Sequence, residues 1–189
     1  MKKKITQKEA LRANIEYHTK LANSYDKEQG HFKPENIKRV EKIIKDLAKK
    51  TGGGSLLDIG CGTGFIINIA HKYFTRVVGI DITPAMLKKV KKFKNVDLYL
   101  ADLFTFPLKE EFNICTAYGV LHHLPDLKSS FRKIRQSLKK GGYFYADQDP
   151  NFCYLESVRK NQRHLSTLPK IILKEWKSIN EIEIELEKK

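Results

Sequence analysis

Three short apolar runs of this sequence end in aspartate, at Asp58, Asp81 and Asp102. A carboxylate carries only hydrogen-bond acceptors, and its two oxygens can hold two neighbouring hydroxyl groups, such as those of a ribose ring. An aspartate at a strand end can also serve only as a turn or helix-capping residue, and that alternative is open for each aspartate taken singly. Its recurrence at three successive strand ends favours a binding site for one ligand.

Glycines alternate with other residues after the first aspartate, at Gly60, Gly62 and Gly64. A backbone without Cβ atoms can turn sharply and lets a ligand lie against it. The apolar run that begins at Phe65 predicts a helix whose first N–H groups and positive dipole end face that ligand. In the dinucleotide fingerprint G-x-G-x-x-G the third glycine would stand where this chain has Phe65. The spacing therefore favours a nucleotide-like cofactor other than a dinucleotide.

The segment 57–64, Leu-Asp-Ile-Gly-Cys-Gly-Thr-Gly, resembles the first motif of the class I S-adenosylmethionine-dependent methyltransferases. Three further segments, 77–81, 95–102 and 112–126, follow in the order of that family. The resemblance covers residues from about 55 to 150 and points to the small-molecule, menaquinone-biosynthesis-like branch. It implies S-adenosylmethionine as methyl donor and S-adenosylhomocysteine as product.

The resemblance implies which part of the cofactor each motif would contact. Asp81 is expected to accept hydrogen bonds from both ribose hydroxyls. Asp102 is expected to accept a hydrogen bond from the exocyclic amine of adenine, and the next residue, Leu103, would donate its backbone N–H to the adenine. The segment 112–126 would lie beside the methionine portion of the cofactor. The predicted cofactor-binding residues are Tyr25, Asp58, Gly60, Cys61, Gly62, Gly64, Asp81, Ile82, Asp102, Leu103, Ala117 and Tyr118.

Tyr25 belongs to a segment, 17–26, that resembles the N-terminal stretch folded over the cofactor in small-molecule methyltransferases. On that basis its hydroxyl would hydrogen-bond the methionine carboxylate. An amphipathic tyrosine that only covers the core explains the same residue equally well. Both roles place Tyr25 at the lid of the predicted site.

A catalytic base is needed only if the methyl acceptor must lose a proton. The resemblance makes His122 and His123 candidates, because related small-molecule enzymes use histidine in this loop, and Asp147 and Asp149 should lie at the same edge of the sheet. The alternative is a structural loop in which Asp126 caps the next helix. We predict no metal site, because methyl transfer needs none and the histidines show no ligand spacing beyond the adjacent pair.

An α/β fold would bring these residues together. We predict a Rossmann-like, doubly wound, mostly parallel sheet with helices on both faces. Pro34 begins one predicted helix, and a second runs from Asp126 to a stop at Gly141-Gly142 before a fifth strand over 143–147. The helix after the second strand is expected to end in the lysine-rich run 88–94, where cations suit its dipole.

We expect one overall domain with three parts. Residues 1–51 form an N-terminal helical lid and first packing helix, residues 52–151 the S-adenosylmethionine-binding core, and residues 152–189 a C-terminal helical segment. The family usually ends in an antiparallel strand pair, but the chain after residue 168 indicates at most one further strand, so these strands are predicted to be incomplete. Either a partner copy completes the pocket, as in a homodimer, or the C-terminal topology differs.

The net charge of +14 at pH 7 would favour an RNA partner if the cations were clustered, since clustered cations attract phosphates. The excess is spread along the chain, however, and lysine outnumbers arginine, whose bidentate fork suits nucleic acids better. A solvated basic surface is the better explanation, and RNA stays an alternative partner. No apolar run reaches the ~18 residues of a membrane span, and no signal peptide is evident, so we expect a cytoplasmic protein whose three cysteines are reduced.

Three functions fit the sequence. The first is methyl transfer from S-adenosylmethionine to a small-molecule acceptor by in-line displacement, which the loop around His122 and the tyrosine-containing lid favour. The second is methylation of RNA or protein, which only the charge favours. The third is a non-catalytic S-adenosylmethionine-binding subunit, which the short C-terminal region favours.

Overall fold

A five-stranded parallel sheet forms the centre of the protein, in the order β3-β2-β1-β4-β5. The computed structural model describes residues 7–107, 111–124 and 126–149, so the predictions for the segment 152–189 lie outside the described residues. The strands are β1 (Ser55–Ile59), β2 (Arg76–Asp81), β3 (Val96–Leu100), β4 (Phe112–Tyr118) and β5 (Leu138–Asp147). The chain order reverses between β1 and β4, which is the doubly wound arrangement that the sequence predicts.

Helices cover both faces of this sheet. They are α1 (Gln7–Leu21), α2 (Tyr25–Glu28), α3 (Pro34–Thr51), α4 (Phe65–Ala70), α5 (Pro84–Leu87) and α6 (Leu127–Ser137), with single 3₁₀ turns at Gly30–Phe32 and Leu121–His123. Helix α3 begins at Pro34, as predicted, and ends where Gly52 adopts a left-handed φ of 69°. The side chain of Asp126 accepts the N–H groups of Lys128 and Ser129, which confirms its capping role on α6.

Adjacent residues of β1 show how the two faces are filled. Leu56 packs in one apolar core with Ile44 of α3 and Ile66 of α4, whereas Leu57 packs in a second core with Ile134 of α6. Successive side chains of a strand point to opposite faces, so a sheet buried on both sides needs this continuous apolar sequence. The Rossmann-like fold with helices on both faces is confirmed.

Two predicted helix ends are wrong. Helix α6 stops at Ser137 and strand β5 follows at once from Leu138, so Gly141 and Gly142 lie inside the strand. A Cβ atom on Gly142 would stand 2.9 Å from the carbonyl oxygen of Asn113, so glycine is needed where β5 closely approaches β4. The register between these strands shifts at this point, which accommodates the extra residues.

Helix α5 is also shorter than predicted, since it ends at Leu87 before the lysine-rich run 88–94. Val90 interrupts that run and packs in the core beside Gly64, where a Cβ atom would stand 2.9 Å from the valine Cγ1. Burial of one apolar side chain therefore overrides the helical pattern of its lysine neighbours. Within the described ranges, no helix has the length and apolar character needed to cross a membrane.

Candidate functional site

A cavity that is partly open to solvent lies at the carboxyl ends of the strands. This is the edge at which doubly wound sheets bind their ligands, beside the point where the strand order reverses. Helix α1 and the strand-end loops supply its walls. The lining residues are Leu11, Asn14, His18, Tyr25, Ile59, Gly60, Gly62, Ile80, Asp81, Ile82, Thr83, Met86, Ala101, Asp102, Leu103, Phe104, Tyr118, Gly119, Val120, His123 and Leu124.

Asp81 is the polar centre of this cavity. Its Oδ2 accepts the N–H of Gly62 at 2.9 Å, and its Oδ1 accepts the N–H of Thr83 at 2.7 Å. The residue is 9% exposed, so its carboxylate is held by backbone donors and not by solvent alone. Each carboxylate oxygen can accept more than one hydrogen bond, which leaves capacity on both for a pair of ligand hydroxyls.

The three glycines of the loop have different tasks. A Cβ atom on Gly60 would stand 2.4 Å from Cγ2 of Val120, and both Gly60 and Gly64 have positive φ, so packing and backbone conformation require glycine at these positions. A Cβ atom on Gly62 would meet no atom within 4 Å. Gly62 therefore borders open space, and its N–H binds Asp81. Gly60 and Gly62 line the cavity, whereas Gly64 does not.

Cys61, between these glycines, is buried and its backbone N–H donates to the carbonyl of Ile80 at 3.0 Å. Burial, aided by the charges of Asp58 and Asp81, raises the pKa of its thiol well above the usual value. A thiol without access to its thiolate form is a poor nucleophile. Cys61 is a small buried residue whose backbone hydrogen bond joins the glycine loop to β2.

Asp102 lies at the third strand end on the same cavity. Its Oδ1 accepts the N–H groups of Phe104 at 2.6 Å and Thr105 at 2.8 Å. Within the described ranges, Oδ2 of this carboxylate has no hydrogen-bond partner, so it can accept a donor of a ligand. The same cavity is also lined by apolar residues, including the predicted Ile82 and Leu103 and the unpredicted Met86 and Phe104. An apolar slot with one acceptor fits a flat heterocycle that carries an amino group.

Asp58 lines a smaller cavity that shares Tyr25, Gly60, Gly62 and Tyr118 with the larger one. The residue is 1% exposed, and its Oδ1 accepts the hydroxyl of Thr116 at 2.7 Å. Burial raises the pKa of Asp58 to about 7. The predicted residue Ala117 is fully buried in β4 and lines neither cavity.

The N-terminal segment is attached directly to the glycine loop. Oδ1 of Asp26 accepts the hydroxyl of Thr63 at 2.5 Å, and the amide of Asn36 donates to the Tyr118 hydroxyl at 2.8 Å. His31 packs against the rings of Tyr25, Phe65 and Tyr118, and this burial lowers its pKa to about 4. Sequence analysis missed Asp26 and His31, although the Tyr25-Asp26 pair stood at the end of the predicted lid.

Helix α1 contributes three cavity residues that sequence analysis also missed, Leu11, Asn14 and His18. Their spacing of three and four residues places them on one face of the helix, and this spacing was the available signal. The Nδ1 atom of His18 lies 2.9 Å from the carbonyl oxygen of Asn14. The ring of His18 meets that of His123 edge to face, with 5.2 Å between centroids.

The two adjacent histidines of the predicted catalytic loop differ in position, because only one of them lines the cavity. His123 lines the cavity, and its burial lowers the pKa of its imidazole well below the usual value. His122 does not line the cavity, and its Nδ1 lies 2.8 Å from Oδ1 of Asp149.

Asp147 is held by Arg39 at 2.6 Å and by the Tyr145 hydroxyl at 2.7 Å, which indicates a structural role. The described part of the chain holds no cluster of side chains suited to a metal ion.

Comparison with known proteins agrees with this geometry. Residues 57–146 match the family described as Methyltransferase domain. These residues are therefore similar to the methyltransferase domains of that family. The match includes the last three residues of β1, the glycine loop, Asp81, Asp102 and most of β5.

Two curated relatives extend the comparison. An uncharacterized protein of Methanocaldococcus jannaschii is 34% identical over 133 residues, which is 68% of this chain and 49% of that protein. A ubiquinone biosynthesis O-methyltransferase of Hydrogenovibrio crunogenus is 29% identical over 164 residues, covering 79% of this chain and 66% of the relative. The chain therefore spans about half to two thirds of the length of these two relatives.

A solved structure of the N-methyltransferase NodS from Bradyrhizobium japonicum WM9, in complex with S-adenosyl-l-homocysteine, shares the fold. Its TM-score is 0.60 at 20% sequence identity, and the likeness covers 71% of this chain and 72% of NodS. At this identity the likeness supports the Rossmann-like architecture of the methyltransferase domain.

The buried carboxyl of Asp58 predicts a pH-dependent stability. Its pKa of about 7 in the folded protein exceeds the usual value of 3.8, so the folded state keeps a proton that the unfolded state releases. The stability of the wild type should therefore fall as the pH rises from about 4 to about 7, by up to about 1.4 kcal/mol per pH unit from this group. An Asp58→Asn variant carries an amide that cannot ionise, so it should lose this component.

Urea unfolding of both proteins at a series of pH values between 4 and 8 measures the difference. Asp97→Asn is the matched control, because Asp97 is half exposed on β3 and paired with Arg76 at 3.0 Å, away from the cavity. Equal pH slopes for wild type and Asp58→Asn would show that Asp58 is ionised in the folded protein.

Proposed function

We propose that this chain binds S-adenosylmethionine in the cavity at the strand ends and transfers its methyl group to a small-molecule acceptor. The observation that carries the proposal is the Asp81 carboxylate, which is fixed by the N–H groups of Gly62 and Thr83 beside open space over Gly62. Such a carboxylate is preorganised to accept the two hydroxyls of a ribose. When bound, the cofactor supplies a methyl group that its sulfonium has already activated.

The lining residues divide the cavity into parts that suit an adenosyl ligand. Asp102 and the N–H of Leu103 would bind the adenine edge between Ile82 and Met86. Asp81 would hold the ribose. Asp58 and the N-terminal lid with Tyr25 border the smaller cavity, which suits the charged methionine end. Among the described residues, these groups come from four separate segments, the N-terminal lid and the ends of β1, β2 and β3, that only the fold brings together.

The same lining favours a small, largely apolar acceptor over RNA. Asp81 and Asp102 are the only formally charged residues that line the cavity in the described ranges, and no lysine or arginine does so despite the chain's net charge of +14. An RNA-binding site would need cations near the reacting group to meet the phosphates. Helix α1 also covers the cavity, which suits an acceptor small enough to be enclosed. RNA therefore remains the weaker candidate.

The acceptor class we favour is an aromatic or lipophilic hydroxyl compound. The apolar residues Leu11, Val120 and Leu124 and the rings of Tyr25 and Phe104 support this assignment. The relative from Hydrogenovibrio crunogenus is named an O-methyltransferase of ubiquinone biosynthesis, which also supports a hydroxyl acceptor. The more specific menaquinone-biosynthesis-like branch stays a prediction, as do a homodimer, a cytoplasmic location and the division of the chain at residues 51 and 151.

Replacement of Asp81 tests the cofactor assignment. Asp81→Asn removes the negative charge and one acceptor, and hydrogen bonds to a charged group contribute about 1.5–3 kcal/mol. We expect calorimetry to show binding of S-adenosylmethionine by the wild type and about ten- to hundredfold weaker binding by Asp81→Asn. Asp97→Asn, the exposed β3 variant, should bind as the wild type does. Heat with NAD but none with S-adenosylmethionine would contradict the proposal.

Incorporation of labelled methyl groups tests the acceptor. The wild-type protein and labelled S-adenosylmethionine are incubated with a cell extract, which is then divided into small molecules, RNA and protein. We expect label in the organic-soluble small-molecule fraction and much less with Asp81→Asn. Label that appears only in material sensitive to ribonuclease or protease would contradict the small-molecule assignment and favour the macromolecular alternative.

A further inference from the structure

His18 stands out among the cavity residues that were not predicted as site residues. It lies on α1, far from the predicted catalytic loop in sequence, and its ring lines the same cavity as Asp81 and His123. Its Nδ1 is 2.9 Å from the carbonyl oxygen of Asn14, and a carbonyl oxygen can only accept a hydrogen bond. The neutral ring therefore carries its proton on Nδ1, which leaves the lone pair on Nε2.

The environment of His18 suits a residue that takes up a proton during the reaction. Burial is the main influence and lowers the pKa of His18 below 6.5, so the ring is neutral at neutral pH. The nearby negative charge of Asp81 acts in the opposite direction and favours the protonated ring, whereas His122 disfavours it. In the described part of the chain, the titratable rings packed around His18 are those of Tyr17, Tyr25 and His123.

The two histidines of the predicted catalytic loop are less suited to that task. His122 does not line the cavity, and its Nδ1 is engaged by Asp149 at 2.8 Å. His123 lines the cavity, but its buried ring lies against both His18 and His122, whose charges oppose its protonation. Of the three, His18 combines access to the cavity, a defined tautomer and a neighbouring carboxylate.

We propose that His18 is the general base that removes the hydroxyl proton of the methyl acceptor, with Nε2 as the accepting atom. This proposal rests on the function proposed above and extends it to a catalytic residue and to a hydroxyl acceptor. The backbone bond to Asn14 fixes the ring, and Asp81 stabilises the imidazolium that forms. Helix α1 then does more than cover the site, because it carries a reacting group.

The step balances without a further reactant. The acceptor's O–H bond breaks, its electron pair stays on oxygen, and its proton moves to Nε2 of His18. The oxygen forms a bond to the methyl carbon as the methyl–sulfur bond breaks, with that bond's electron pair passing to sulfur. The methylated acceptor and S-adenosylhomocysteine leave, and the imidazolium of His18 returns its proton to water.

Kinetics of His18→Gln separate a base from a residue that only binds cofactor. With the extract assay for small molecules, we expect methyl transfer to fall about 10²- to 10⁴-fold, the usual contribution of a general base. The affinity for S-adenosylmethionine should stay within about threefold in calorimetry. The wild-type rate should fall on acidification below pH 6.5, as His18 becomes protonated, and this inflection should be absent from the residual activity of His18→Gln.

His71→Gln is the matched control, because His71 stacks on Phe93 outside the cavity and should leave the rate unchanged. His123→Gln tests the competing base. Loss of the acid inflection in His123→Gln, with its retention in His18→Gln, would overturn the assignment to His18. A parallel loss of cofactor affinity and rate in His18→Gln would overturn it as well, since His18 would then be a binding residue.

Nitrogen NMR of the histidine rings gives a readout that needs no acceptor. In the complex with S-adenosylhomocysteine at neutral pH, we expect His18 to be neutral, protonated at Nδ1 and unprotonated at Nε2. A proton on Nε2 would overturn the proposal even if methyl transfer occurs. Absence of cofactor binding and of methyl transfer by the wild type would instead count against the proposed function itself.

Discussion

The carboxylate of Asp81 is the constraint on which the site depends. Its two oxygens accept the N–H of Gly62 from one loop and the N–H of Thr83 from another, so the ends of β1 and β2 are fixed relative to each other. The same group supplies the negative charge that faces the cavity. One side chain therefore holds the glycine loop in shape and presents acceptors to a ligand.

The parallel sheet explains why the other groups meet at this point. Strands that run in the same direction end at one edge, so Asp81 and Asp102, which are distant in sequence, border one cavity. The N-terminal segment closes that edge through the hydrogen bond between Asp26 and Thr63. Helix α1 adds an apolar face and His18. The site is thus formed by the carboxyl edge of the sheet and by the N-terminal segment that covers this edge.

Sequence patterns predicted the parts of the site that short segments determine. The glycine loop and Asp81 were predictable because a strand, a turn and a helix start are local features. The junction of α6 and β5 was not, because the burial of Leu138 and the approach of Gly142 to Asn113 depend on a strand distant in sequence. The sequence indicated an N-terminal helical lid, but not which residues of α1 line the cavity, because that depends on how the helix packs against the sheet edge.

A crystal structure with S-adenosylhomocysteine would test the account most directly. The account predicts the adenosyl group in the cavity at the strand ends, with both ribose hydroxyls at hydrogen-bond distance, about 2.6–3.0 Å, from the Asp81 carboxylate. It also predicts the adenine beside Asp102 and the sulfur within reach of the His18 side of the cavity. Density for the ligand elsewhere, or ribose hydroxyls that do not contact Asp81, would contradict it.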